Sequence, residues 1–381
     1  MMKLLKKISS YIIFILIDIV KKFGLHVYFV TIQASRIGHL LNNIDHSIYY
    51  LNKKHSSYIL LINLNGKISN QFLVKCWKKN NNIYFTKISK IIINLASHNK
   101  MLQKQVLCWK HIQPKFTKLF SSKPNLILDE KKISINNNDK NLLKKKFICL
   151  HNRENKYTKK ISFDQNYLEY KNFKFDDFNS TINRAKKDNI LSVRIGNFTE
   201  KNYFNKNLKI EDRSGKRSSE HMDLLLQSYS KFTIIGLTGL SAVRNTLRKP
   251  QLYINFTPFT LDQLSWMSKF SMVIPKLFFS KKKNRILKFS EMLKIDFNIH
   301  QTENFLKKKN LIVLNNSKEE ILKSYMEMNY FIDNRRHNDK NYKLNEKFFK
   351  IFKDDKKANF LFNKNKIRIS TFFLEKYSNL Y

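Results

Sequence analysis

The stretch Lys231-Phe-Thr-Ile-Ile-Gly-Leu-Thr-Gly-Leu-Ser-Ala-Val243 constrains the fold of this chain more than any other. Phe232 to Ile235 read as a buried strand, Gly236 and Gly239 as a tight loop, and a helix opens near Ser241. The whole chain has only seven glycines, and two of them fall in this one loop. A glycine loop ahead of a helix exposes backbone N–H groups at the positive end of the helix dipole, so an anion site is one reading. A plain tight turn is the other, and on this segment alone it is the simpler one. Both readings require a strand, a loop and a helix in succession.

That alternation recurs along the chain. His26 to Ile32 and Ser57 to Asn63 read as buried strands, rich in β-branched and aromatic residues. A helix is expected after Arg36-Ile-Gly-His-Leu40, and Gln71 to Trp77 has apolar residues on one helical face. The segment from about Ser121 to Asn141 changes character. It carries Ser-Ser-Lys-Pro and a polar run at Asn136 to Asn141, and reads as an interdomain linker. A second series follows, with strands expected at Lys146–His151, Asn189–Arg194, Phe232–Ile235 and Gln251–Asn255, and a late element at Asn310–Leu314. Ser317-Lys-Glu-Glu320 is a capping box for the helix after it. Strands alternating with helices predict parallel sheets covered on both faces. No internal repeat of fixed period is visible, which argues against a solenoid.

In such sheets ligands bind beyond the carboxyl ends of the strands. Polar residues collect where those ends are expected: Arg36, Gly38 and His39; His151, Arg153 and Glu154; Arg194, Gly196 and Asn197; and Gly236 to Ser241. This pattern fits a cleft enzyme that handles an anionic substrate.

The charge balance admits several partners. Lys and Arg number 72 against 29 Asp and Glu, a formal charge of +43. Nucleic acid, an anionic membrane face, and the coding bias of AT-rich DNA each explain such an excess. The lysines are scattered, and no Arg/aromatic module of an RNA binder is present, so nucleic acid is the least supported partner. The three cysteines, Cys76, Cys108 and Cys149, have no spacing suited to zinc and are expected to be buried thiols in a reducing compartment. No D-x-D metal motif is evident; Asp176 and Asp177 are adjacent and suit a helix cap.

At the N-terminus, Lys3, Lys6 and Lys7 precede an apolar run at Tyr11 to Ile17, and Lys21 and Lys22 follow. The run is shorter than the roughly 20 residues a spanning helix needs. No small-residue cleavage site follows it. The segment is either an amphipathic helix lying in a membrane interface or a helix packed on the protein's own core.

Six motifs in order resemble a family of bacterial glycosyltransferases from surface-polysaccharide and lipopolysaccharide gene clusters. They are Arg36-Ile-Gly-His-Leu40, Phe147-Ile-Cys-Leu-His-Asn-Arg-Glu154, Val193-Arg-Ile-Gly-Asn197, Arg217-Ser-Ser-Glu-His-Met-Asp223, Ile235 to Val243, and Lys249-Pro-Gln-Leu-Tyr-Ile-Asn-Phe256. The tail Ile367 to Leu374 is similar to the family's closing helix. The C-terminal half is also similar in layout to GDP-fucose transferases. Glu154 stands where the pattern has an Asp, and Leu237 where a small hydroxyl residue is commoner.

The resemblance implies an α/β fold of GT-B type, two Rossmann-like doubly wound domains facing a cleft. The expected boundaries are a membrane-associating or packed N-terminal helix at 1–24, ahead of the resemblance, then an acceptor-side domain at 25–135, a donor-binding domain at 144–330, and a helical tail at 331–381 crossing back to the first domain. It implies metal-independent sugar transfer, with no cofactor, from a nucleotide-sugar donor to a glycan or lipid-linked acceptor on the cytoplasmic membrane face. Arg153 is the expected diphosphate clamp, because a guanidinium binds phosphate bidentately and stays charged. Thr238, Gly239, Leu240 and Ser241 would hold phosphate oxygens through backbone amides and the Ser241 hydroxyl. Arg36, Gly38, His151 and Gly196 complete the nucleotide-sugar contacts, or else His151 organises Arg153. Arg194 would either read the ribose or form a buried ion pair, and Asn255 would either contact the base or cap its strand. His39 is the candidate base that takes the acceptor proton, or else a structural histidine. Asp223 is expected on a helix, in a solvated or capping role rather than a catalytic one. A nucleic-acid-binding or ribosomal protein from an AT-rich genome is the alternative function.

Overall fold

A computed structural model describes residues 2–80, 82–108, 122–128, 135–154, 169–196, 210–215, 219–295, 303–334, 339–353 and 355–381. Asn197, Arg217 and parts of the 121–141 segment lie outside these residues. The chain divides into two compact units: Met1–Lys115 with Lys123–Ile133, and Phe116–Ser122 with Ser134–Tyr381.

The first unit opens with helix α1 (Met2–Lys22), followed by β1 (His26–Gln33), α2 (Ile37–Asn52), β2 (Tyr58–Asn65), α3 (Gln71–Trp77), β3 (Ile83–Phe85), α4 (Ile88–Ala96) and β4 (Val106–Leu107). Its four strands are parallel, in the order β3-β2-β1-β4. The strand residues Phe29, Val30, Ile32, Leu60 and Ile62 are buried because the sheet is covered on both faces. Trp77 closes α3 onto α2, its indole N–H donating to the Leu40 carbonyl at 3.0 Å.

The second unit holds β5 (Phe147–His151), β6 (Leu191–Arg194), β7 (Ile210–Asp212), β8 (Thr233–Ile235), β9 (Gln251–Phe256), β10 (Met272–Pro275), β11 (Leu277–Ser280), β12 (Arg285–Ile286), β13 (Leu311–Leu314) and β14 (Arg368–Ile369). Seven form one parallel sheet, ordered β14-β10-β9-β8-β5-β6-β7. From β7 to β10 this is the doubly wound dinucleotide-fold order, and the winding reverses between β5 and β8. The late element at 311–314 is β13, antiparallel to β11 in a separate three-stranded sheet.

Two expectations need correction. The Asn136 to Asn141 run is not simply linker. The Asn136 side chain accepts the Asp139 N–H at 2.8 Å and so caps a helix, Asn137–Leu143. The tail is not only helical, and it belongs to the second unit. There β14 pairs with β10, and the Asn345 carboxamide accepts the Ile369 N–H at 2.7 Å. The capping box is present: the Glu320 N–H donates to the Ser317 hydroxyl at 3.2 Å, and the Ser317 N–H to the Glu320 carboxylate at 3.1 Å.

Candidate functional site

In the second unit, residue pairing sets His151 of β5 opposite Ile235 of β8. The segments that follow, Asn152 to Glu154 and Gly236 to Ser241, therefore leave the sheet side by side at the reversal of the winding. In an open parallel sheet this is the position that accommodates a ligand. Arg153 is 9% exposed, and its carbonyl accepts the Phe173 N–H at 3.3 Å.

The glycine loop is built differently from the sequence expectation. Neither Gly236 nor Gly239 has a positive φ. Gly236 is small because Phe173 packs against it: an added β-carbon would lie 3.1 Å from the Phe173 ring. Gly239–Ser241 form a 3-10 turn, and the helix after it, Ala242–Thr246, is short. The turn uses the Ser241 groups assigned to phosphate. The Ser241 hydroxyl donates to the Thr238 carbonyl at 2.7 Å, and the Ser241 N–H to the same oxygen at 3.2 Å. The Leu240 side chain is buried. The Thr238 hydroxyl, by contrast, is buried without a hydrogen-bond partner. So are the Asn255 side-chain nitrogen and the Thr257 hydroxyl, at the end of the adjacent strand β9. These three groups are among several buried side-chain atoms without a partner in the described residues, and they lie at or past the ends of the paired strands β8 and β9.

Arg194 serves the fold. It is 2% exposed, its Nη2 lies 2.5 Å from Glu154 Oε1, its Nη1 lies 3.7 Å from Asp212 Oδ2, and its guanidinium stacks on Phe175 at 4.3 Å. Of the two expected roles, the geometry realises the buried ion pair. Asn255 is paired with Asn316: its N–H donates to the Asn316 side chain at 2.5 Å, and its side-chain oxygen accepts the Asn316 N–H at 2.7 Å. Asp223 is buried, not on the surface.

His151 and Gly196 meet across β5 and β6. His151 Nδ1 donates to the Ile195 carbonyl at 3.0 Å, which leaves Nε2 as the acceptor of the neutral ring. Burial lowers its pKa to about 4, and Arg194 and Arg153 reinforce the shift. The ring is therefore neutral at pH 7.

A segment the sequence did not suggest ties these strand ends together. The Asn152 amide donates to the Phe173 carbonyl at 3.0 Å. The buried Lys276 ammonium, just past β10, donates to the Tyr170 carbonyl at 2.6 Å and to that of Asn172 at 3.3 Å. Residues 170–175 thus strap the ends of β5, β6, β8 and β10. Burial lowers the Lys276 pKa to about 7.

The first unit has its own reversal of winding, between β1 and β4. A cavity of about 270 Å³ lies there, lined by Val30, Thr31, Asn43, Ile93, Leu107 and Cys108 among others. Cys108 is exposed, which corrects the expectation of three buried thiols; Cys76 and Cys149 are buried. His39 stands in the first turn of α2, after Arg36 at the N-cap and beside Gly38. Its Nδ1 is 3.3 Å from the Asn43 amide nitrogen, one turn along. Burial, with the Arg36 charge, holds its pKa below the usual histidine value. An amide N–H on Nδ1 makes that atom the ring's acceptor and puts the proton on Nε2. Asn43 was missed, although its place four residues after His39 on a helix is a readable signal. Among the described residues, no three His, Cys, Asp or Glu side chains come together in a way that could hold a metal ion.

No family model matches the chain, and no curated protein sequence matches it. Solved structures do. The chain is similar to a glycosyl transferase family 9 protein of Veillonella parvula, with 9% identity and a TM-score of 0.47, over 79% of this chain and 96% of that one. It is similar to the ADP-heptose lipopolysaccharide heptosyltransferase II of Escherichia coli, with 13% identity and a TM-score of 0.39, over 66% and 90%. A second E. coli heptosyltransferase, solved with ADP, shows 9% identity and a TM-score of 0.37, over 74% and 96%.

Proposed function

We propose that this chain is a glycosyltransferase that moves a sugar from a nucleotide-sugar donor to a glycan or lipid-linked hydroxyl. The observation that supports it best is the buried, unpaired Thr238 hydroxyl after β8, next to the Arg153 segment after β5, at the reversal of a doubly wound sheet. A diphosphate has acceptor oxygens for the Thr238 hydroxyl and negative charge for the Arg153 guanidinium. Both would gain strength as the leaving group separates, which is the stage at which stabilisation raises the rate. The diphosphate is neutralised by the guanidinium and loop donors without a metal.

The acceptor binds at the cavity of the first unit. Its hydroxyl replaces the Asn43 amide on His39 Nδ1, which then takes the proton. A ring kept neutral at pH 7 suits that role. His151 stays neutral and orders the donor side. Titration of the protein with ADP-, GDP-, UDP- and dTDP-sugars tests the reading. One class should bind, and Arg153→Lys, which keeps the charge but loses the fork, should bind it more weakly. Equal binding by the variant would remove the clamp.

A further inference from the structure

Helix α1 carries two apolar faces, and the fold uses only one. Its 21 residues extend about 30 Å. Ser10, Ile13, Phe14 and Ile17 face the first unit, packed with Phe29, Ala96 and Leu102. The Asn99 amide fixes the helix further by donating to the Ser10 carbonyl at 3.3 Å. At about 100° per residue, Leu5, Ile8, Ile12, Ile15, Leu16 and Ile19 fall on the opposite side of the helix. Each of these six is between 45% and 57% exposed. The adjoining helix α4 adds Ile88 and Ile91, each 60% exposed. An exposed apolar face of this extent marks an interaction site.

The surrounding charge identifies the occupant. Lys3, Lys6 and Lys7 lie at one end of α1, Lys21 and Lys22 at the other, and Lys87 and Lys90 on or beside α4; all are exposed. Asp18 is the only acid in the helix. Two copies of this face would set lysines against lysines. An anionic lipid surface offers the opposite charge together with an apolar interior. No helix among the described residues is long and apolar enough to cross a membrane. We infer that α1 lies in the plane of an anionic bilayer, its outer face seated among the acyl chains and its terminal lysines on the headgroups. The packing of Ile13, Phe14 and Ile17 holds the helix ready for this contact without further folding. The inference stands apart from the proposed sugar transfer.

Co-sedimentation of the full chain with lipid vesicles tests it. Wild-type protein should pellet with vesicles of equal parts phosphatidylglycerol and phosphatidylcholine, and less with phosphatidylcholine alone. The triple variant Ile12→Gln, Ile15→Gln, Leu16→Gln replaces exposed side chains, so its melting temperature should match wild type. It should bind the anionic vesicles at least about tenfold more weakly. Its affinity for nucleotide sugars should be unchanged, which separates this result from a failure of the enzymatic reading. Folded wild-type protein that stays in the supernatant would overturn the inference. So would wild-type pelleting by the variant. Self-association that the variant abolishes, without vesicle binding, would assign the face to a second copy.

Discussion

Gly196 packs so closely against His151 that an added β-carbon would sit 2.7 Å from the imidazole Nδ1. Its φ of +121° is also one that other residues rarely adopt. Crowding and conformation act together, so Gly196→Ala should destabilise the protein by about 2 kcal/mol. Chemical denaturation would measure it. An unchanged midpoint would mean that the His151 ring has room to move.

The Glu154–Arg194 ion pair is largely buried at the strand ends. Removing one member of a buried pair strands the other charge, at a cost of roughly 3–5 kcal/mol. Asp212 remains near Arg194 at 3.7 Å, so Glu154→Gln should cost less, on the order of 2 kcal/mol. Thermal unfolding would show it, with the affinity for donor changed little once the protein is folded.

Stability should rise with pH in two windows. The His151 pKa falls from 6.5 to about 4 on folding. The unfolded chain therefore binds the extra proton first. Stability is full above pH 6.5 and is lost as pH drops toward 4, by about 3 kcal/mol. The Lys276 amine, lowered from 10.5 to about 7, behaves alike at higher pH. Its contribution is full above pH 10.5 and declines as pH falls toward 7. Lys276→Met should flatten the upper window and leave the lower one, as urea titrations across pH would report.

If His39 is the base, transfer requires its neutral form, and activity should fall as pH drops through the His39 pKa. The Asn43 side chain lies 3.3 Å from His39 Nδ1, so Asn43→Asp would set a carboxylate beside the ring, favour the imidazolium, and move that acid limb to higher pH. A pH–rate profile that does not move in the variant would assign the proton to another group.

The long buried runs were legible in the sequence. Phe29 to Ile32, Phe147 to Leu150 and Leu252 to Phe256 are apolar stretches of strand length, and each became a parallel strand. The loops between them put His151, Arg153 and Thr238 at strand ends for the same reason. The partners of the buried polar residues were not legible, because they lie far along the chain. Arg194 finds Glu154 across 40 residues, and Asn255 finds Asn316 across 61. The reason for Gly236 lies in Phe173, in a segment whose aromatics have no regular period. Cys108 stands at the edge strand of its sheet, where nothing in its local sequence signals exposure.

The most direct test is calorimetric titration of wild-type protein and Thr238→Val with nucleotide sugars. Thr238→Val removes a buried hydroxyl that has no partner, so the folded protein should be as stable as wild type or more so. Donor affinity should fall about tenfold, equivalent to about 1.4 kcal/mol, because a hydrogen bond to phosphate is lost. Equal affinity in the two proteins, or no binding of any nucleotide sugar by wild type, would contradict a diphosphate site at the β5–β8 reversal.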